Sequence, residues 1–392
     1  MRDHEGQVIG VLQLLNAKHA QTGDPVAFTP EDQDLLQSLA SQAAVAFNNV
    51  RLIKETEQLF ESFVQVMATA IDERSPYTGG HIRRVMEMAM VVAGAVNACE
   101  SGPFAGVCFS DDELEEFRIA AWMHDIGKIT TPEWVVDKPT KLTTIFNRIE
   151  LLEVRLKFIK QSIQIERLEK EVALLQVGAG LPSDLAQEYD RRLAELDDEI
   201  AFLVRANTPG EFMEKADLER VQAIGCKTYL DGGEEKPYLT ANEIENLSID
   251  RGTLTEAERQ KIQNHAAMSI KMLAQIPFTR KLQQVPPIAG AHHERLNGKG
   301  YPLGLKGDEI GLQARILALV DIFESISADD RPYRKKAPQD VVLRILQEEV
   351  DKNHLDSALL DLFLEEKLYL KLDEIKEKMA REKQSAEQSA GD

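Results

Sequence analysis

Apolar positions follow three rhythms along the chain. Residues 7–15, QVIGVLQLL, are a short apolar run with Gly6 and Asn16 at its ends, which predicts a buried strand. From residue 31 the period becomes helical, with Leu35, Leu36, Leu39, Ala43, Val45 and Ala46, continuing past Phe60 and Val64 to about Arg74. Thr29 suits the N-cap, Pro30 the first helical position, and Glu31 and Asp32 the first turn. Asn48–Asn49 is the one place where this long helix would break. Helices are predicted over 81–100 and 111–127, the second capped by Ser110. The third rhythm fills 143–206, where leucine and isoleucine alternate with charge on both sides of GAGLPSD (178–184). That pattern predicts an antiparallel helical hairpin or coiled coil. Residues 207–250 are mixed, punctuated by Pro209, Gly232, Gly233 and Pro237. Helices are predicted again over 255–276, 312–328 and 338–350, and the polar tail EKMAREKQSAEQSAGD is expected to be disordered.

Composition narrows the class. A chain of 392 residues, 43% hydrophobic and 29% charged, fits a folded protein of two or three domains. No run of about eighteen uncharged apolar residues occurs, so no membrane span is expected. The start, MRDHEGQVIG, lacks the apolar segment of a secretory signal. Cys99, Cys108 and Cys226 form no paired framework, which points to reduced thiols and a cytoplasmic setting. The formal net charge of −20 argues against duplex nucleic acid as a partner. A small phosphate-bearing substrate remains open, provided local cations meet it.

The candidate chemistry lies in a few histidines and carboxylates. AAWMHDIGKI (120–129) delivers His124 beside Asp125 at the end of an apolar helix, with Lys128 one turn on. Imidazole with carboxylate suits borderline divalent metals, and a carboxylate can bridge two ions. Asp321 interrupts the apolar ARILALVDIFESI, and a buried carboxylate needs a partner or a metal. His81, His265 and the pair His292–His293 in HHERLNGKGYP complete the set. Taken singly, each also reads as a helix-end or core side chain.

Together, and in this order, YTGGHIRRV (77–85), HDIGKI (124–129), HAAMSIKML (265–273), HHERLNGKGYPLGLKGDEI (292–310), ARILALVDIFESI (314–326) and DRPYR (330–334) resemble the HD-GYP family of HD-superfamily phosphohydrolases. The resemblance implies a mainly α fold, an HD-type helical bundle around a metal centre. It implies hydrolysis of the bacterial messenger cyclic di-GMP to pGpG and on to GMP. It implies His81, His124, Asp125, His265, His292, His293 and Asp321 as ligands of two divalent ions, iron or manganese, bridged by Asp125. It further implies Asp125 and Lys128 as catalytic groups, and Arg84, Lys128, Gly300, Tyr301, Arg331 and Arg334 as contacts to substrate. Tyr77 stands where a glutamate binds a third metal in some members, so two metals are expected. Leu296 and Asn297 depart from the motif, and Glu324 stands where aspartate is frequent.

The resemblance is interrupted between DKPTKL (137–142) and RGTLTEAERQKIQNH (251–265). Residues 76–142 and 252–350 are therefore expected to form the catalytic domain around a 143–251 helical insertion, either a spacer or an arm for dimerisation, docking or covering the metals. Residues 351–392 are expected to be a C-terminal helix and tail. GVLQLLNAKH and FTPEDQDLLQSLASQAAVAFNNVRL resemble the end of a GAF sensory domain, giving an N-terminal α/β fragment over 1–50 and a connector helix over 51–75. A homodimer through that helix and diguanylate cyclase (GGDEF) partners are expected. Hydrolysis of another cyclic nucleotide, and a non-catalytic receptor or scaffold, are the alternatives.

Overall fold

The structure is a computed structural model that describes residues 1, 6–74, 79–210, 212–328 and 337–390. Tyr77, Arg331 and Arg334 lie outside the described residues. The chain divides into two compact units, Met1–Met67 and Ala68–Asp392.

In the first unit the predicted strand over 7–15 does not form. Val11 is 85% and Leu15 71% exposed, and the regular pairing among the described residues of this unit is isolated bridges, at Val8 and between Lys18 and Pro25. A strand is stabilised by neighbours that take its N–H and C=O groups, and this run has no sheet to join among the described residues. Helix α1, Pro30–Asp72, runs without a break. Thr29 and Asp32 cap it reciprocally, Thr29 Oγ1 accepting from Asp32 N–H at 3.2 Å and the Asp32 carboxylate accepting from Thr29 N–H at 2.7 Å. Asn48 stays helical and accepts from Arg51 at 2.9 Å.

The second unit is a helical bundle. Helices α2 (His81–Asn97) and α3 (Asp111–Met123) lead to a short 3₁₀ turn, Ile126–Thr130, and to α4 (Glu133–Val136). Ser110 and Glu113 form the capping box that starts α3. Helices α5 (Ile149–Gln176) and α6 (Ser183–Asn207) form the predicted hairpin. Then come α7 (Lys215–Gly225), the strands β1 (Thr228–Asp231) and β2 (Glu234–Pro237), and α8 (Ala241–Leu247). The strands pair antiparallel across Gly232–Gly233, both at positive φ as a tight hairpin turn requires. Helices α9 (Glu256–Leu273), α10 (Val285–Gly290), α11 (Leu312–Ser327), α12 (Gln339–Asp351), α13 (Ser357–Glu365) and α14 (Lys371–Ala390) complete the order. No described helix is long and apolar enough to cross a membrane.

Helix α2 is central, packing on α3 and α11. Its Met88, Ala89, Val92 and Val96 are fully buried, as are Phe117 of α3 and Leu319 and Val320 of α11. The tail differs from its expected disorder: α14 continues to Ala390, with Leu372 and Ile375 buried. Ion pairs of Arg83 with Glu382 and of Lys378 with Glu87 at 3.2 Å tie it to α2, giving a polar helix the partners its composition hides.

The 143–251 segment has its own core. Leu152, Leu156, Ile159 and Ile163 of α5 meet Tyr189, Leu196, Phe202 and Leu203 of α6, and Val221, Ile224, Leu239 and Leu247 extend the cluster. A polar clamp closes its base. Lys138 Nζ donates to both Glu258 oxygens at 2.8 and 2.9 Å and to Asn246 Oδ1 at 2.8 Å, while Thr253 Oγ1 donates to the Lys138 carbonyl at 2.9 Å.

Candidate metal centre

Six elements deliver the seven histidines and aspartates to one buried point. His81 opens α2 after Gly80, whose φ of 82° turns the chain into the helix. His124 ends α3 and Asp125 begins the 3₁₀ turn. His265 lies in α9, His292 and His293 follow α10, and Asp321 lies in α11. His124, Asp125, His265 and His292 are each at most 2% exposed.

Their ligand atoms fall into two groups. His81, His124 and Asp321 offer atoms within 4.8 Å of one another, and so do His265, His292 and His293; His124, Asp125 and His292 form a third such set, which joins the two. Asp125 stands between them. Its Oδ2 lies 3.3 Å from His124 Nε2 and 3.7 Å from His81 Nε2, and its Oδ1 lies 3.4 Å from His265 Nε2 and 4.0 Å from His292 Nε2. Asp321 Oδ1 is 3.3 Å from His81 Nε2.

One local device orients three rings. The Nδ1 atoms of His124, His265 and His292 each meet the carbonyl three residues back, Ala121, Ile262 and Ala289, at 2.6–2.7 Å. A carbonyl only accepts, so Nδ1 carries the proton and Nε2 keeps its lone pair facing inward. His124 Nε2 and Asp125 Oδ1 are buried and make no hydrogen bond. Orphaned polar atoms at this depth are costly, and a divalent ion satisfies both. The donor set of imidazoles and bridging carboxylate therefore fits metal.

The electrostatics divide the groups. Burial pulls the His81 imidazolium down, but Glu324 and Asp321 outweigh it and raise it to about 10. Burial pushes His292 and His293 the other way, His292 well below its ordinary value and His293 to about 3. Asp125 would rise by burial, yet Lys128 and His124 hold it well below the usual carboxylate range. Lys128 Nζ sits 2.6 Å from Asp125 Oδ2 with its side chain 30% exposed. It lines a cleft of about 410 Å³, partly open to solvent, that reaches His81 and Asp125.

Two of the expected substrate contacts have structural roles. Arg84 is buried, its Nε donating to Glu324 and its Nη1 to the Gly79 carbonyl at 3.1 Å, so it braces Glu324 and does not face the cleft. Gly300 is required by the loop's own path, since a Cβ there would overlap the backbone of Glu294 and Arg295. Tyr301 lies over His293, ring centroids 4.8 Å apart, with a cis bond to Pro302. Leu296 packs with Ala291, Ile310 and Ala314, and Asn297 donates to the Lys352 carbonyl at 3.0 Å. Both departures from the motif thus serve the outer packing of the loop.

The supporting roles of several residues escaped the sequence reading. Glu324 accepts from His81 Nδ1 and stands one turn after Asp321, a spacing that could have flagged it. Glu294 accepts from the N–H groups of Leu303, Gly304 and Leu305 at 2.6, 3.1 and 2.9 Å and so shapes the loop. Ser269, one turn after His265, donates to the His124 carbonyl at 2.8 Å and accepts from Gly127 N–H at 2.9 Å. A Cβ on Gly127 would overlap the His265 carbonyl, so α9 rests directly on the turn after Asp125. Asp72, raised to about 6 by burial, accepts from Ile82 N–H at 3.1 Å, and Arg74 donates to the carbonyls of Lys128 and Ile129. These two side chains hold the rim of the cleft.

Residues 78–223 and 241–359 match two models of the HD domain, and residues 1–47 match the GAF domain. The chain is 39% identical over 209 residues to 3′3′-cGAMP-specific phosphodiesterase 1 of Vibrio cholerae, covering 53% of this chain and 44% of that protein. It is 43% identical over 106 residues to 3′3′-cGAMP-specific phosphodiesterase 3 of the same organism, covering 27% and 22%. It is 29% identical over 258 residues to a cyclic di-GMP phosphodiesterase of Thermotoga maritima, covering 62% and 66%. The chain thus spans less than half the length of the two Vibrio relatives.

Proposed function

The chain belongs to the HD-domain family, and we propose that it hydrolyses a cyclic dinucleotide, cyclic di-GMP first, to pGpG and on to GMP. The observation that carries this reading is Asp125, whose Oδ2 faces His81 and His124 and whose Oδ1 faces His265 and His292. His81, His124 and Asp321 would hold one divalent ion, His265, His292 and His293 the other, and Asp125 both. The resemblance points to iron or manganese, and this mixed set of imidazole and carboxylate accepts either. Such ions, when bound, supply a water acidic enough to attack phosphorus near neutral pH and offset charge on the phosphate. Water adds across one P–O3′ bond, leaving a 5′-phosphate and a free 3′ hydroxyl.

The chain's own groups supply the rest. Lys128 presents an ammonium at the edge of the cleft, where it can meet a phosphate oxygen or return a proton to the departing 3′ oxygen. Tyr301 and the loop held by Glu294 wall the His293 side. Arg331 and Arg334 are kept as the contacts for the second phosphate, on the motif alone. The same reading assigns 76–142 and 252–350 to the catalytic domain and 143–251 to an insertion. It also keeps a cytoplasmic setting, dimerisation through α1 and GGDEF partners.

A second substrate has specific support, because two of the relatives named above act on 3′3′-cGAMP. The test incubates metal-replete protein with each dinucleotide and measures linear dinucleotide and mononucleotides by chromatography. Cleavage of cyclic di-GMP is the expected result. Cleavage of 3′3′-cGAMP alone would reassign the substrate, and binding of both without turnover would sink the enzymatic reading in favour of a receptor.

A further inference from the structure

Helix α5 carries two apolar stripes, and the hairpin uses only one. Leu152, Leu156, Ile159 and Ile163 face α6 and are buried. The second stripe repeats in strict heptads. Leu151, Phe158, Ile165 and Val172 occupy one position of the repeat, a, and Val154, Gln161, Leu168 and Leu175 the other, d. The seven apolar members are each between 42% and 64% exposed. Phe158 alone leans on another ring, Tyr229, at 6.1 Å between centroids. A face exposed to solvent on a single chain has no need of a 3.5-residue period sustained over four repeats; a coiled-coil seam does.

We propose that this stripe is a parallel, in-register dimer seam that takes the α5 helix of a second copy of the chain. Three observations select that occupant. The apolar surface left open along the stripe is on the order of 700 Å² per copy, close to the roughly 800 Å² per partner of a standard stable interface. Ile165 and Val172 at a with Leu168 and Leu175 at d are the combination that favours two parallel strands. The one polar seam residue, Gln161, meets its own counterpart when two copies align in register, and two amides satisfy each other there. An antiparallel partner centred on the same residues sets Gln161 against Ile165 and brings Glu150 beside Glu171, a like-charge pair. With α6 on the outer side of each copy, the two hairpins make a four-helix arrangement. This seam is separate from α1 and does not depend on the catalytic reading.

The test uses the full chain. Sedimentation or light scattering gives its mass, and Ile165→Glu with Leu168→Glu should convert the α5-linked dimer to a lower mass while helical circular dichroism is kept. Because α1 could also hold copies together, a second variant reads the seam directly. Gln161→Cys, in a background with Cys99, Cys108 and Cys226 changed to Ser, should form an intermolecular disulfide under mild oxidation, whereas Ser162→Cys, outside the seam core, should form much less. A monomer at every concentration, or a dimer in which Gln161→Cys does not cross-link, would overturn the proposal. Cross-linking only between Gln161→Cys and Ile165→Cys chains would overturn the parallel register, and mass gained only with another protein present would reassign the face to a different partner.

Discussion

The two halves of the centre each set three side chains around Asp125, and they prepare themselves in opposite ways. The half of His81, His124 and Asp321 is rich in carboxylate. Against the pull of burial, Glu324 and Asp321 keep His81 protonated up to about pH 10. In the half of His265, His292 and His293 burial outweighs the pull of Asp125 and Asp321 and holds the imidazoles neutral, His293 down to about 3. In one half His81 stores a proton that an ion must displace, and the other half presents lone pairs that are already free. Preorganisation in the first is electrostatic and in the second is packing, with the i−3 carbonyls fixing tautomers that the apolar surroundings keep uncharged.

The largest effect expected is at the shared residue. Asp125→Asn removes the anion common to both halves, so both ions should be lost and turnover should fall on the order of 10³-fold. Elemental analysis of the purified variant checks it, and full retention of metal would erase the distinction between bridge and halves. His81→Ala and His293→Ala come next. Each should lower metal content by one equivalent and leave the other half loaded; loss of both ions from either variant would show that the halves do not bind separately. Glu324→Gln should weaken metal in the His81 half by about 10–100-fold and spare the other, measured by competition with a chelator. The smallest effect is on the metal-free protein. His81 is raised from 6.5 in an unfolded chain to about 10 when folded. Its stabilisation is complete below about 6.5 and is lost as pH rises through about 10. The melting temperature of chelator-treated protein should therefore decline by a few degrees over that alkaline range, and the decline should flatten in His81→Ala.

Much of this was legible in the sequence because short motifs travel with their local structure. The capping box at Ser110 and the hairpin around 178–184 follow from adjacent residues, and the structure shows both. The seven metal-type side chains were chosen by motif, and the fold gathers all seven. What escaped is what depends on distant partners. Arg84, expected as a contact to substrate, is buried against Glu324, 240 positions away in the chain. The run 7–15 has a strand's pattern and, among the described residues, no strand beside it to pair with. The tail has a disordered composition, and α2 supplies the ion pairs that hold it helical. Gly300 was read for its freedom toward a ligand, and the fold requires it for contact with its own backbone.

The clamp at Lys138, Thr253 and Glu258 has a consequence in chain entropy. The excursion between its ends starts and finishes at one fixed point, so for the rest of the bundle it behaves as a closed loop. The cost of closing such a loop grows only with the logarithm of its length, about 0.6 kcal/mol for each doubling. A short turn and a long, separately folded arm therefore differ little in what they take from the bundle's stability. The clamp leaves α9 and His265 indifferent to what the arm contains, and an arm of that kind is free to be lengthened, trimmed or given a task of its own.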